Sequence, residues 1–257
     1  LRLVTINTWK CDGDYHRRMD ALECQLAALQ PDIVAIQESF ATVDGTIVTA
    51  ARLGRHLGLA SAFIPERRKP RNVDGISTDS YSGLALLSRW EYTAHIALPL
   101  PSSSADGGRS AQLAIIQVGA SRLIIANVHL SHLPDGSALR REQLATVLHH
   151  PYFGTDFAAA LITGDFNAVL SSAELSTYLA SPWQLIDAYA SGGGKTKITH
   201  RGSNGQGSDL DHILALPDQY RKWPMFSDSR LVLDAPDLAT GILPSDHAGV
   251  MTTLLLG

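Results

Sequence analysis

"SAQLAIIQVGASRLIIANVHL" (residues 110–130) decides the architecture. Two apolar runs meet at Gly119 and Ala120, so the stretch reads as an antiparallel hairpin of buried strands. The chain upstream is organised differently. "LRLVTIN" (1–7) is a strand. "DYHRRMDALECQLAALQ" (14–30) is a helix with Met19, Leu22, Leu26 and Leu29 on one stripe, Asp14 as its N-cap and Pro31 as its stop. "DIVAIQE" (32–38) is again a buried strand. Early alternation of strand and helix followed by hairpins argues for mixed sheets rather than a doubly wound parallel sheet. Many strands with helices outside point to two sheets packed face to face.

The remaining segments fit that frame. Residues 43–57 read as a second helix, followed by a short strand near Ala60–Ile64 and a polar loop over 65–80. "SGLALLS" (82–88) is expected to pair, through Arg89 and Trp90, with "YTAHIAL" (92–98). "SALRREQLATVLHH" (137–150) is helical, with Leu144, Val147 and Leu148 inward. "AALITGDFN" (159–167) is a buried strand ended by a turn, a short helix starts near Ser171 or Ser172, and "HAGVMTTLLL" (247–256) closes the chain. No repeat or low-complexity segment interrupts it, so one domain is expected over residues 1–257.

Composition narrows the function. The 257 residues are 45% hydrophobic and 18% charged, which supports a large core. The net charge of −4 gives no basic face for duplex phosphates beyond the run "ERRKPR" (66–71). No apolar run approaches the roughly 20 residues of a membrane helix. Cys11 and Cys24 are too few for a disulfide framework or a zinc cluster and favour the cytoplasm, although a leader removed ahead of Leu1 would leave no mark.

Polar groups recur where apolar strands end: Asn7, Glu38, Asn127 with His129, Asp165 with Asn167, Asp211, and Asp246 with His247. All read as lying at C-terminal strand ends or just beyond, where a rigid scaffold presents functional groups. Each alone is explained as well by a turn or a solvated strand end. Together they form a chemical set. Glu38 and Asn7 offer oxygens to a hard cation such as Mg²⁺. Asp165 and Asn167, at i and i+2, point to one face and can hold a water or a phosphate oxygen. Asp211 beside His247 would fix the imidazole's tautomer. His129 adds a second imidazole, and Asn127 shares its face. With no nucleophilic serine or cysteine motif, water is the expected nucleophile at phosphorus.

The ordered motifs "NTW", "LQPDIVAIQE", "SGLALLSR", "NVHL", "GDFN", "DLDHIL" and "SDH", spanning residues 7 to 247, resemble the endonuclease/exonuclease/phosphatase superfamily. The resemblance implies a four-layer αββα sandwich, an α/β fold of two packed mixed sheets with outer helices. It implies Mg²⁺ or Mn²⁺ on Glu38, with Asn7 beside it and Asp246 nearby. Asp165 would align or deprotonate the attacking water, Asn167 would hold phosphate, and His247, supported by Asp211, would stabilise or protonate at phosphate. His129 matches the sphingomyelinase-like and deoxyribonuclease-like branches, so Asn127 and His129 are expected to face the scissile phosphate. Asp209 departs from the pattern, because many members carry a basic residue there. Arg140 and Gln143 fit the family's Arg-x-x-Gln helix start and read as structural.

"GGGKT" (192–196) is read as a flexible loop rather than a phosphate loop, since Tyr189 stands where the first glycine is required. His212 is read as a core or supporting residue. The substrate favoured by the acidic balance is a small or lipid-like phosphoester, with a nuclease on the same site as the alternative and an inactive binding scaffold as a reading of another class. The protein is expected to be a monomer. For a small substrate, at most one of Arg67, Arg68, Lys69 and Arg71 would reach its phosphate.

Overall fold

The computed structural model describes residues 1–180, 182–195, 197–202 and 205–256. In chain order the elements are β1 (Arg2–Asn7), α1 (Tyr15–Leu29), β2 (Ile33–Thr42), α2 (Thr49–Leu57), β3 (Ala60–Val73), β4 (Ile76–Ser88), β5 (Tyr92–Leu100), β6 (Arg109–Val118) and β7 (Ser121–His129). There follow α3 (Ser137–Leu148), β8 (Ala159–Asp165), α4 (Ala173–Leu179), β9 (Ile186–Asp187), α5 (Ala188–Ser191) and β10 (His200–Arg201). The last four are β11 (Gly207–Ser208), β12 (Asp211–Leu216), β13 (Met225–Val232) and β14 (Gly249–Leu255). One six-stranded sheet has the order β13-β14-β1-β2-β4-β3 and the other β5-β6-β7-β8-β12-β9.

Strand periodicity distributes the core into layers. Leu3, Ile33, Ala35 and Leu86 of the first sheet pack against Leu123, Ile125, Leu161 and Ile213 of the second. Their neighbours in sequence point outward. Val4, Ile6, Val34 and Ile36 meet Met19, Leu22 and Leu26 of α1 and Leu53 of α2. Ile124, Ala126 and Ala160 meet Leu144, Val147 and Leu175 of α3 and α4. The result is helix, sheet, sheet, helix: the four-layer sandwich.

Three expected elements come out differently. "SGLALLS" does not pair with "YTAHIAL": β4 pairs with β2 and β3 in one sheet, while β5 pairs with β6 in the other. The corner at Arg89 and Trp90 carries the chain between sheets. Residues 65–80 are not a loop but most of a long β3–β4 hairpin. Its turn is Asp74–Gly75, both at positive φ (52° and 83°), which is the Asp-Gly hairpin signal, hidden by charged flanking residues. The second helix starts at Thr49, because Asp44 and Gly45 form a turn first.

Arg140 and Gln143 are structural, as read. Arg140 donates through Nε and Nη2 to Glu174 Oε1 (2.9 and 2.7 Å) and through Nη1 to the Ser131 and Leu133 carbonyls. Gln143 accepts from Ser131 N and donates to the Pro101 carbonyl. The two thus fix the chain just past His129. Both partners of the Arg140–Glu174 pair are buried, and against the opposing effect of burial its own backbone N–H and the bonds from Arg140 and Ser137 hold the Glu174 carboxyl below its ordinary pKa. Glu174→Gln leaves a buried cation without its counter-charge and should cost on the order of 3 kcal/mol in urea unfolding at neutral pH. Because the folded pKa is the lower one, the contribution is full above the ordinary carboxylate range and fades as pH falls through the folded value. The gap between wild type and variant should therefore narrow in acid.

Candidate active site

The inward-facing row of each central strand is apolar in the middle and polar at one edge of the sandwich. Below the site, Thr5, Gln37, Gln112, Asn127 and Thr163 form a buried polar layer between the sheets. At the rim stand Asn7, Glu38, His129, Asp165 and Asp211. Strands β12 and β14 run antiparallel to their neighbours β8 and β1, so their N-terminal ends reach this edge. Asp211 opens β12, and Asp246 and His247 precede β14, rather than lying at C-terminal strand ends as the sequence reading had it. That reading also missed Arg109, which reaches the same edge at the start of antiparallel β6.

Asp165, 2% exposed, is the hub. Its Oδ2 accepts from Asn7 Nδ2 at 3.0 Å and lies 3.6 Å from His129 Nε2 and 3.9 Å from His247 Nε2. Its Oδ1 accepts from the Asn167 backbone N–H at 2.8 Å. Asn167, in the left-handed region (φ 50°), donates its side-chain amide to the Leu130 carbonyl. His247 Nδ1 donates to Asp211 Oδ2 at 2.8 Å, which turns Nε2 toward Asp165. Ser245 Oγ donates to the Asn7 carbonyl at 2.7 Å and accepts from His247 N, joining the His247 segment to the end of β1.

Burial and neighbouring charge sort these groups. The Asp211 carboxylate raises the His247 pKa to about 10 against the opposing effect of burial. Burial and the nearby Asp211 charge push Asp165 up to about 7. Burial, with Arg109 and Lys10 nearby, drives His129 well below the ordinary histidine value. The site therefore holds an imidazolium, a weakly acidic carboxyl and a neutral imidazole together.

Asn127 is not among the cleft residues. Fully buried, its Nδ2 donates to the Ile36 and Ala85 carbonyls and to Gln112 Oε1, and its Oδ1 accepts from Gln37 Nε2 at 2.7 Å. It shares a face with His129, as the i, i+2 spacing requires, but sits one step deeper and clamps the two sheets. His212 is a supporting residue: it is buried, with Nε2 on the Ala168 carbonyl and Nδ1 2.9 Å from Lys197 Nζ. Lys197 also lies 3.4 Å from Asp209, so a cation from elsewhere in the chain stands beside the position where many members carry a basic residue. The Gly192, Gly193 and Gly194 amides donate to the Ala188, Ala190 and Tyr189 carbonyls of α5 rather than standing open to a phosphate; Thr196 lies outside the described residues.

Glu38 reaches the cleft through a bulge. The β2–β4 register shifts between Ile36 and Ser39, and Glu38 takes φ 54°, which re-aims the side chain. Its carboxylate pairs with Lys10 Nζ at 2.7 Å. Lys10 was missed because nothing local marks it. It follows Trp9 in a second consecutive left-handed conformation (φ 53° and 45°), each costing on the order of 1 kcal/mol. Buried Arg18 holds this turn by donating to the carbonyls of Thr8, Trp9, Lys10, Asp12 and Pro244.

The donors suit a hard divalent cation. Glu38, Asn7 and Asp246 all line the cleft and carry side-chain oxygens, and the Lys10 ammonium sits against the Glu38 carboxylate, where a metal cation would bind. Among the described residues, two triples have ligand atoms within 4.8 Å of one another: His200, Asp246 and His247, and Asp165, Asp211 and His247. Glu38 belongs to neither, whereas Asp246 belongs to the first triple and also lines the cleft. If Lys10 competes with a metal for Glu38, Lys10→Met should tighten Mn²⁺ binding a few-fold, in line with the 0.2–1 kcal/mol of such pairs. Glu38→Gln should weaken it by more; calorimetric titration of the metal-free protein reads both.

Residues 4–247 match the profile of the Endonuclease/Exonuclease/phosphatase family. The chain belongs to this family. Members are metal-dependent phosphoesterases and nucleases, and this chain has the acidic and imidazole groups to hold a metal ion. Solved structures of the family share the fold throughout. One from Leptotrichia buccalis C-1013-b is 17% identical, with full coverage of both chains and a TM-score of 0.77. D. rerio TDP2 humanized by 14 mutations is 19% identical over 99% of this chain and 98% of its own, with a TM-score of 0.78. One from Bacteroides vulgatus is 18% identical over 100% and 99%, at 0.76. At these identities the likeness speaks for the fold alone. No curated protein matches the chain in sequence.

Proposed function

We propose that the chain is a phosphoester hydrolase that uses Mg²⁺ or Mn²⁺ and water, acting on a small or lipid-like substrate, with residues 1–257 as one catalytic unit. The observation that carries this is the Asp165 hub, a buried carboxylate touching Asn7, His129 and His247 with Asp211 behind the last. Glu38, with Asn7 and Asp246, would hold a divalent ion, which when bound would supply positive charge to a phosphoryl oxygen. Asp165 accepts the proton of the attacking water, and the Asn167 N–H fixes its carboxylate. The His247 imidazolium donates to a phosphoryl oxygen as charge builds in the transition state. Asp211 holds that imidazole in place. Neutral His129 donates a hydrogen bond to the departing oxygen.

A cleft of about 320 Å³ supports a small substrate. An adjoining cavity of about 370 Å³, lined by Trp9, Ile242 and Leu243 and sharing Asp246, supports an apolar substituent. Nuclease action is the second reading. It draws on Arg67, Lys69 and Arg71, which line the cleft and so exceed the single cation expected there. Among the described residues no helix is long and apolar enough to cross a membrane.

Turnover of bis-p-nitrophenyl phosphate, sphingomyelin, an inositol polyphosphate and plasmid DNA, with Mg²⁺ and with excess chelator, tests the proposal. Metal-dependent release from a small ester is expected. Undiminished turnover in chelator would sink the metal-assisted reading.

A further inference from the structure

We propose that Arg67 and Lys69 form a second anion subsite in the cleft, and that the substrate is a small organic phosphoester carrying another phosphate. That this molecule is a substrate rests on the hydrolase reading above; the subsite itself does not.

Strand β3 contains its own internal comparison. Arg67, Lys69 and Arg71 line the cleft at alternate positions, and Arg68 does not. Arg68, on the opposite side, is neutralised by Asp79. The cations of the cleft outside β3 are neutralised too: Lys10 lies 2.7 Å from Glu38, and Arg109 donates to Asp106 at 3.0 Å. Among the described residues no carboxylate lies within ion-pair distance of Arg67 or Lys69. Both side chains are exposed at the cleft, and among the described residues neither makes a hydrogen bond or an ion pair.

The strand carrying them is firmly held. Arg71 is buried, donates to the Ser80 carbonyl and hydroxyl at 3.1 Å and to the Arg67 carbonyl at 3.2 Å, and among the described residues has no carboxylate within ion-pair distance. Glu66, in the bulge before Arg67, directs Oε1 to the Ser110 N–H at 2.6 Å instead of to either cation. Burial raises its pKa to about 7, which reduces its negative charge. Two unpaired cations at i and i+2 stand roughly 7 Å apart along a strand and repel each other. A dianion between them removes that repulsion and accepts from both. The cleft of about 320 Å³ puts this anion and the scissile phosphate in one small molecule. A polynucleotide would need a basic track continuing beyond the cleft, and the net charge of −4 leaves little to build one.

The test is calorimetric binding of fructose 1,6-bisphosphate and fructose 6-phosphate to the full chain in chelator, for wild type, Arg67→Ser/Lys69→Ser and Arg67→Lys. Wild type should prefer the bisphosphate by roughly tenfold to hundredfold. The double variant should lose that preference with unchanged thermal unfolding, and Arg67→Lys should keep most of it. No preference in wild type, or the same preference in the double variant, would overturn the subsite. So would a double variant that loses affinity for a single-stranded oligonucleotide, with a steep salt dependence, and not for the bisphosphate. Turnover of bis-p-nitrophenyl phosphate is scored separately: a preference that depends on Arg67 and Lys69 without any turnover supports the subsite and removes only the hydrolase reading.

Discussion

His247→Ala is expected to lower kcat by roughly 10²–10⁴-fold, the range for a positioned acid–base or charge-stabilising group. The Nε2 of His247 points into the cleft 3.9 Å from Asp165, and its Nδ1 is held by Asp211 at 2.8 Å. Asp211→Asn should cost less, because an amide oxygen still accepts the Nδ1 hydrogen bond while no longer stabilising the imidazolium. The double variant should be close to His247→Ala alone, and additive losses would show that Asp211 does not act through the histidine. A pH profile separates this from a merely structural role. His247 keeps its proton up to about pH 10, raised there by Asp211. Activity that needs the imidazolium should therefore decline only near that pH in wild type. Without the Asp211 charge the alkaline limb should move toward the ordinary histidine range.

Asp165→Asn is expected to produce a loss of similar size in kcat and a gain in stability. The loss follows because the amide cannot accept the water's proton. The gain follows from burial of the carboxylate against Asp211, which pushes its pKa up to about 7. An acid whose folded pKa exceeds its unfolded value opposes folding once ionisation is possible in the unfolded chain. The penalty grows from the ordinary aspartate range up to about pH 7 and is constant above. The variant should thus gain about 1 kcal/mol at neutral pH, measured by urea unfolding in chelator, with the gain disappearing in acid. A destabilised, inactive variant would mean that the Asn7 and Asn167 bonds to Asp165 outweigh its repulsion with Asp211.

Much of this was legible before the structure, for identifiable reasons. Long apolar runs at Ile33–Ile36, Leu123–Ile125 and Ala159–Ile162 announced the central strands, and the polar residues at their edges marked the candidate site. What escaped notice required three-dimensional information. Whether a strand's first or last residue reaches the site depends on its direction in the sheet, so Arg109 was missed. Asn127 and His129 share a face, but periodicity says nothing of depth, and Asn127 proved to be a clamp between sheets. The β3–β4 hairpin was lost because Arg and Lys made residues 66–71 look like a solvated loop, although Asp74–Gly75 carried the turn signal. His200, whose ring lies tilted against His247 with centroids 4.6 Å apart, had no sequence mark at all.

Water activated at Asp165 is proposed to attack phosphorus. Turnover of bis-p-nitrophenyl phosphate in ¹⁸O-water with Mg²⁺ tests it most directly. One ¹⁸O per cleavage is expected in the phosphate-bearing product and none in the p-nitrophenol, with turnover lost in Asp165→Asn. Label in the phenol, or turnover undiminished in Asp165→Asn, would contradict it.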